Sequence, residues 1–197
     1  MNSTQLISVA VLAVLVFWAV GAHNRLIRLK NVIGNAFGQI DVQLKRRYDL
    51  IPNLVEAAKK YLSHERETLE AVIAARNQAR SASDAVRSRP SSAVAVTTLA
   101  VAEQALSSSL GQLFALNEAY PELKADQTIQ GLSEELTSTE NNVAFARQAF
   151  NDAVLDYNNA QGQFPAVVIA RMFSFAPSAM LQATESAEER RTVRIAM

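Results

Sequence analysis

Acid–base, nucleophilic and metal chemistry draw on a short list of side chains, and this 197-residue chain is poor in most of them. It has no cysteine, which removes disulfides, cysteine-ligated zinc and a thiol nucleophile. Its histidines are His23 and His64, about forty residues apart. Their spacing does not suit a shared metal or a catalytic pair, and both read as surface residues. The positions three before them are Val20 and Tyr61, so the Glu-x-x-His pairs of a di-iron helical bundle are missing. There is no HExxH, no GxSxG and no phosphate-binding loop. Carboxylates are plentiful, among them Glu65, Glu67, Glu70, Glu134, Glu135 and Glu140. Paired carboxylates do acid–base work where burial shifts their pKa values. These lie mostly off the apolar stripes, where helix charge is solvated. The expectation is a protein without catalytic, cofactor-binding or metal-binding residues, and so not an enzyme.

Lys45-Arg46-Arg47, with Asp49 and Pro52, is the most suggestive polar cluster. It suits an anionic partner or a neighbouring subunit. A structural role competes: Asp41 stands four residues before Lys45, and Asp49 can cap a helix. The 19 Lys and Arg balance the 19 Asp and Glu, so bulk charge gives no reason to expect nucleic acid.

These side chains are carried by helices. Few Gly and Pro interrupt long stretches of Ala, Leu, Glu, Gln and Arg, and no run alternates like a half-buried strand. Leu6 to Ala22 is seventeen residues without a charge, about 25 Å as a helix, at the short end of what spans a bilayer. Trp18 suits the headgroup level. Met1 to Gln5 carry no Lys or Arg, whereas Arg25, Arg28 and Lys30 follow the span. The positive-inside rule puts the N-terminus outside and the body in the cytoplasm. A cleaved signal peptide is the competing reading, since Val20-Gly21-Ala22 resembles a cleavage site, but the basic n-region is missing. Arg25, Arg28 and Lys30 are placed to meet anionic headgroups, whereas Lys45 is roughly 35 Å from Ala22 along a straight helix.

Beyond the anchor, Leu26, Leu29, Ile33, Phe37, Ile40, Leu44, Tyr48 and Ile51 recur in steps of three and four. Nothing between Ala22 and Leu26 breaks a helix, so anchor and first bundle helix are expected to be continuous. Gly34 and Gly38 are either a close-approach surface or two tolerated glycines. Pro52 leaves two possibilities open. Asp49 caps a new helix with Pro52 in its first turn, or one helix runs on, kinked, and reverses near Ser63-His64. A second stripe includes Leu69, Val72, Ile73, Arg76 and Ala79. Ser81 to Ser92 reads as a loop. A third helix carries Leu99, Ala102, Leu106, Leu110, Leu113 and Leu116 and stops at Tyr120-Pro121. Asp126 can cap the fourth, whose seam is Ile129, Leu132, Leu136, Val143, Ala146, Phe150, Ala153 and Tyr157, with Thr139 out of character. Gly162 and Pro165 end it.

The expected fold is all-α: an N-terminal transmembrane helix continuing into an antiparallel four-helix up-and-down bundle of long helices. Residues 1–5 form a short extracytoplasmic N-terminus, 6–22 the anchor and 23–162 the bundle. Residues 163–183 are an apolar segment that caps the bundle end or lies on the membrane surface. Residues 184–197 are a charged tail. Tyr157 and Phe164 are expected to dock the bundle end by packing and one phenolic hydrogen bond.

Several blocks, in order and nearly end to end, resemble the LemA family of bacterial membrane proteins. They are Ile40 to Val55 (IDVQLKRRYDLIPNLV), Tyr61 to Arg76, Glu118 to Ala125 (EAYPELKA) and Leu136 to Arg147 (LTSTENNVAFAR). Last come Tyr157-Asn158 and Phe164-Pro165, like the family's "YN…FP" signature. The family's "GF" is Ser174-Phe175 here. The resemblance implies a single span of the bacterial inner membrane and a cytoplasmic helical body, with no general biochemical activity. Some members are tied to magnetosome membrane formation, and others neighbour genes for membrane metalloproteases and envelope-stress functions. The function expected is a non-enzymatic scaffold or adaptor. Homo-oligomerisation is expected from the glycine pair and the Ala/Gly-rich anchor. The alternative is a sensor or regulator of a membrane enzyme such as an envelope-stress metalloprotease. Expected partners are the lipid bilayer, a second copy of the chain and possible membrane proteins.

Overall fold

The computed structural model describes residues 2–62 and 64–181, and the charged tail at 184–197 lies outside them. The order is α1 (Ser3–Lys59), α2 (Arg66–Ser88), α3 (Ala93–Ala119), α4 (Pro121–Lys124), α5 (Gln127–Gly162) and α6 (Ala166–Met172). No strand occurs among the described residues.

The first helix is one piece of 57 residues, about 85 Å long. Its apolar N-terminal window has no buried residue, whereas from Leu26 onward one stripe goes inside. Ile33, Phe37, Ile40, Leu44, Tyr48 and Ile51 are all buried, on the expected steps of three and four. α1 packs along α5 and α2, α2 packs along α3, and α6 lies against both α1 and α5. Phe37 meets Phe150 edge to face, with ring centroids 6.1 Å apart.

Pro52 lies inside α1, which settles the two possibilities in favour of one helix running on to Lys59. A proline has no N–H to give to the carbonyl four residues back, here that of Tyr48. The Arg76 guanidinium of α2 supplies the missing donor, its Nε standing 2.9 Å from the Tyr48 carbonyl oxygen. Asp49 therefore caps nothing: it stands mid-helix with its side chain in solvent, 3.9 Å from Arg76.

The expected loop at Ser81 to Ser92 is a second correction. α2 continues to Ser88, and only 89–92 connect it to α3. Ala79, Ala82, Ser83 and Val86 are buried at helical spacing, and the Ser83 hydroxyl donates to Asp41 on α1. Packing against α1 overrides the weak helix preference of Ser and Asp.

The remaining stops and caps fall where expected. α3 ends at Ala119, before Pro121. Asp126 accepts from the backbone N–H groups of Thr128 and Ile129 at the start of α5. Thr139 belongs to the α5 seam after all, since it is buried and its hydroxyl donates to the Glu135 carbonyl. Gly34 and Gly38 receive no helix of this chain; a side chain at Gly38 would meet open space.

Replacing Arg76 by Met strands the buried Tyr48 carbonyl, and stability is expected to fall by about 1–3 kcal/mol. Adding Pro52→Ala restores an N–H at that turn and is expected to return most of the loss. Denaturant titrations followed by circular dichroism in detergent check both.

Candidate functional site

Two polar clusters lie among the packed helices, one midway along them and one at the end near the apolar run of α1. In the middle, Asp41 is buried on α1. It accepts two hydrogen bonds from the Arg87 guanidinium, at 2.9 and 2.8 Å, and pairs with Lys45 Nζ at 2.9 Å. Burial pushes this carboxyl up, but the hydrogen bonds and charges of Arg87 and Lys45 outweigh it and hold Asp41 below the usual carboxylate range. Arg46 reaches α5 and donates to Glu135, and it remains exposed.

Arg47 turns the other way, into the protein. Its guanidinium donates to Glu103 of α3 at 2.8 Å and to the Ser107 hydroxyl at 3.1 Å. Tyr48 donates its phenolic hydrogen to the second oxygen of Glu103. Burial pushes Glu103 up, Arg47 and Tyr48 pull it back only in part, and the Glu140 charge adds to the rise. Tyr48 is driven well above the ordinary phenol range by burial and by the Glu103 charge. A carboxyl with a raised pKa is the raw material of a general acid. Here both its oxygens are engaged within the fold, and the arrangement joins α1 to α3.

Each of Lys45, Arg46 and Arg47 thus has a carboxylate partner within the chain. A small notch of about 130 Å³ beside Asp41 brings Lys45, Arg80 and Arg87 near Asp49 and Asp84. Its cations are balanced by carboxylates. Among the described residues, no three His, Cys, Asp or Glu side chains are grouped to hold a metal ion.

At the bundle end, Tyr157 is buried and donates to the Ala176 carbonyl at 2.9 Å. Asn158 pairs with Ser178 in both directions at 2.9 Å, Asn151 does the same with Leu181, and Gln161 donates to the Phe175 carbonyl. Four side chains of one α5 face therefore hold the strap 175–181, which has no secondary structure of its own to satisfy its backbone. Phe164 does not dock the bundle end as expected. It is 85% exposed, because the turn into α6 places Ile169 and Ala170 inside instead. Pro165 is exposed beside it and opens α6.

α6 closes with the Phe175 N–H on the Ala170 carbonyl and the Ser174 N–H on the Arg171 carbonyl. This is a Schellman motif, in which the residue at Ser174 is usually glycine. Ser174 has φ 54°, a backbone region costing roughly 1–2 kcal/mol for a residue with a side chain. The Ser174-Phe175 pair thus carries strain that a Gly-Phe pair avoids.

Trp18, Arg25, Arg28 and Lys30 are exposed on α1, at and just beyond the end of the apolar run. Trp18 and Arg25 share a cleft with Phe164 and Pro165. His64 is an exposed residue, but His23 is not: its ring packs on Phe173 and Phe175, with centroids 4.5 and 5.4 Å away. His23 lies about 54 Å along α1 from Lys59, and His64 lies beyond the end of that helix. Sequence reasoning did not single out Glu103, Arg87 or Asn151. For Glu103 a signal existed: it is the one charge between Ala93 and Leu116.

The lowered pKa of Asp41 sets a pH dependence. Its contribution to stability is fully present above the unfolded carboxyl value near 4 and is lost as pH falls through the lower folded value. Asp41→Asn is expected to be less stable at neutral pH and to lose stability less steeply below about pH 4. Glu103, raised rather than lowered, works in the opposite sense. Denaturant midpoints across that range check the slope.

Compared with known proteins, the chain finds no match among curated proteins. The sequence profile of the LemA family matches residues 36–196, from the middle of α1 through the α5 signature residues and beyond. The Asp41–Arg47 cluster, the Tyr157-Asn158 pair and the strap they hold all fall inside that match, and the chain belongs to the LemA family.

Proposed function

We propose that this chain is a non-enzymatic, membrane-anchored scaffold that self-associates. In this reading Leu6–Ala22 crosses the bacterial inner membrane once, with the N-terminus outside and the body in the cytoplasm, as the Arg25, Arg28 and Lys30 bias supports. α1, α2, α3 and α5 act as an antiparallel four-helix up-and-down bundle.

The observation that carries the proposal is the unbroken course of α1 from Ser3 to Lys59. A helix this long without a joint transmits the orientation of the anchor to the body, which is what a scaffold needs and a tethered enzyme does not. The outer face of α3 supports self-association. Glu103 is engaged inward, and Val94, Thr97, Thr98, Val101, Ala105 and Ser108 present an exposed face without charge. Surface helices of monomers usually place charge there, and small residues allow close helix contact.

Mass photometry of the full chain in lipid nanodiscs is expected to show discrete oligomers. Val101→Arg places a charge at the centre of the uncharged face and is expected to weaken association by about tenfold or more, with helicity unchanged. Wild-type protein that stays monomeric across the accessible concentrations contradicts self-association.

A further inference from the structure

α6 has two apolar sides, and the protein covers one. Ile169 and Ala170 are buried, Ala170 against Leu26 and Ala160. Val168 and Met172 stand four residues apart on the outer side and are 51% and 66% exposed, Phe164 just before the helix is 85% exposed, and Phe173 just after it adds a further exposed ring. The ten residues 164–173 therefore show four large apolar side chains to solvent, which soluble surfaces rarely group together.

Their position says what they meet. Phe173 packs on His23, the residue directly after the apolar run of α1. Phe164 and Pro165 line a cleft of about 320 Å³ together with Trp18 and Arg25. The patch is thus continuous with the anchor surface at Trp18. The two chain segments that carry the patch bear charge of one sign, and Asp156 on α5 lies outside them. From Ala22 to Ile40 the charged residues are Arg25, Arg28 and Lys30, and from Gln161 to Leu181 there is Arg171 alone. All four are exposed.

We propose that α6, with Phe164 and Phe173, enters the boundary between headgroups and acyl chains of an anionic lipid surface, the same membrane that the anchor crosses. The outer apolar stripe lies in the boundary layer, and Arg25, Arg28, Lys30 and Arg171 meet the phosphates above it. The proposal rests on Leu6–Ala22 spanning the bilayer. A lone helix can rotate and tilt in a membrane; a second contact beside its exit point fixes which side of the body faces the lipid.

The absence of cysteine makes single-site labelling direct. Nitroxides are placed at Met172→Cys, Val168→Cys, Val14→Cys and Lys60→Cys in the full chain, reconstituted in vesicles of equal parts phosphatidylcholine and phosphatidylglycerol. Power saturation with oxygen and a water-soluble nickel chelate then reads depth. Labels at 172 and 168 are expected about 5–10 Å below the phosphates, that at 14 deep in the acyl region and that at 60 in water. Aqueous labels at 172 and 168 with a deep label at 14 overturn the α6 contact and leave the anchor standing. An aqueous label at 14 overturns the anchor, and the α6 contact with it. In phosphatidylcholine alone the labels at 172 and 168 are expected to become shallower, and an unchanged depth overturns the preference for anionic lipid.

Discussion

Helix α1 carries two kinds of surface on one backbone. Through Leu6–Ala22 its side chains are apolar on every side, and every backbone group is paired within the helix, which is what a bilayer interior demands. From Leu26 the same helix is apolar on one stripe only and becomes the wall against which α5 and α2 pack. There is no turn where the surface changes in which the chain could redirect itself. The direction of the apolar N-terminal stretch is therefore carried into the rest of α1, and everything packed on α1 inherits it. The one residue that threatens this continuity, Pro52, removes a hydrogen bond that a neighbouring helix replaces through Arg76.

The partners of α1 are held in register by charge as well as by apolar packing. A seam in steps of three and four looks much the same one or two turns further along, so apolar contact alone defines register weakly. Asp41 with Arg87 ties α1 to α2, and Arg47 and Tyr48 with Glu103 tie it to α3. Buried ion pairs of this kind add little net stability, because desolvation offsets the attraction, but displacing one partner leaves an uncompensated charge inside at a cost of about 3–5 kcal/mol. They penalise a slipped helix packing far more than they reward the correct one. The polar face of α5 does comparable work for the strap 175–181, whose backbone is matched atom by atom by Asn151, Tyr157, Asn158 and Gln161.

Features set by local chemistry were legible in the sequence. The α1 stripe, the stop at Tyr120-Pro121, the Asp126 cap, the end at Gly162 and the Asp41–Lys45 pair depend on neighbours within a turn or two. Features decided across helices were not. Ser81–Ser88 contains residues that prefer loops, and it is helical because Ser83 and Val86 have α1 to pack on. Asp49 has the chemistry of a cap but no helix start to serve. Phe164 has the size of a core residue, and the turn into α6 leaves it outside. Glu103 was overlooked although a lone carboxylate in an apolar helix is itself a sign of a buried partner. The consequence of Ser174 in place of glycine becomes visible only once its φ is known.

A family member with this build has its candidate surfaces in places a catalytic site would not favour: an uncharged flank on α3 and an apolar stripe beside the anchor. Both matter only if the body is held rigidly by the membrane. A nitroxide pair at Val14→Cys and Val42→Cys, in magnetically diluted full-length protein in nanodiscs, measures that directly by dipolar spectroscopy. Both side chains are exposed, so the labels need not disturb packing. An unbroken helix predicts a single narrow distance distribution near 42 Å. A broad distribution reaching much shorter distances means a joint between anchor and body, and it contradicts the account.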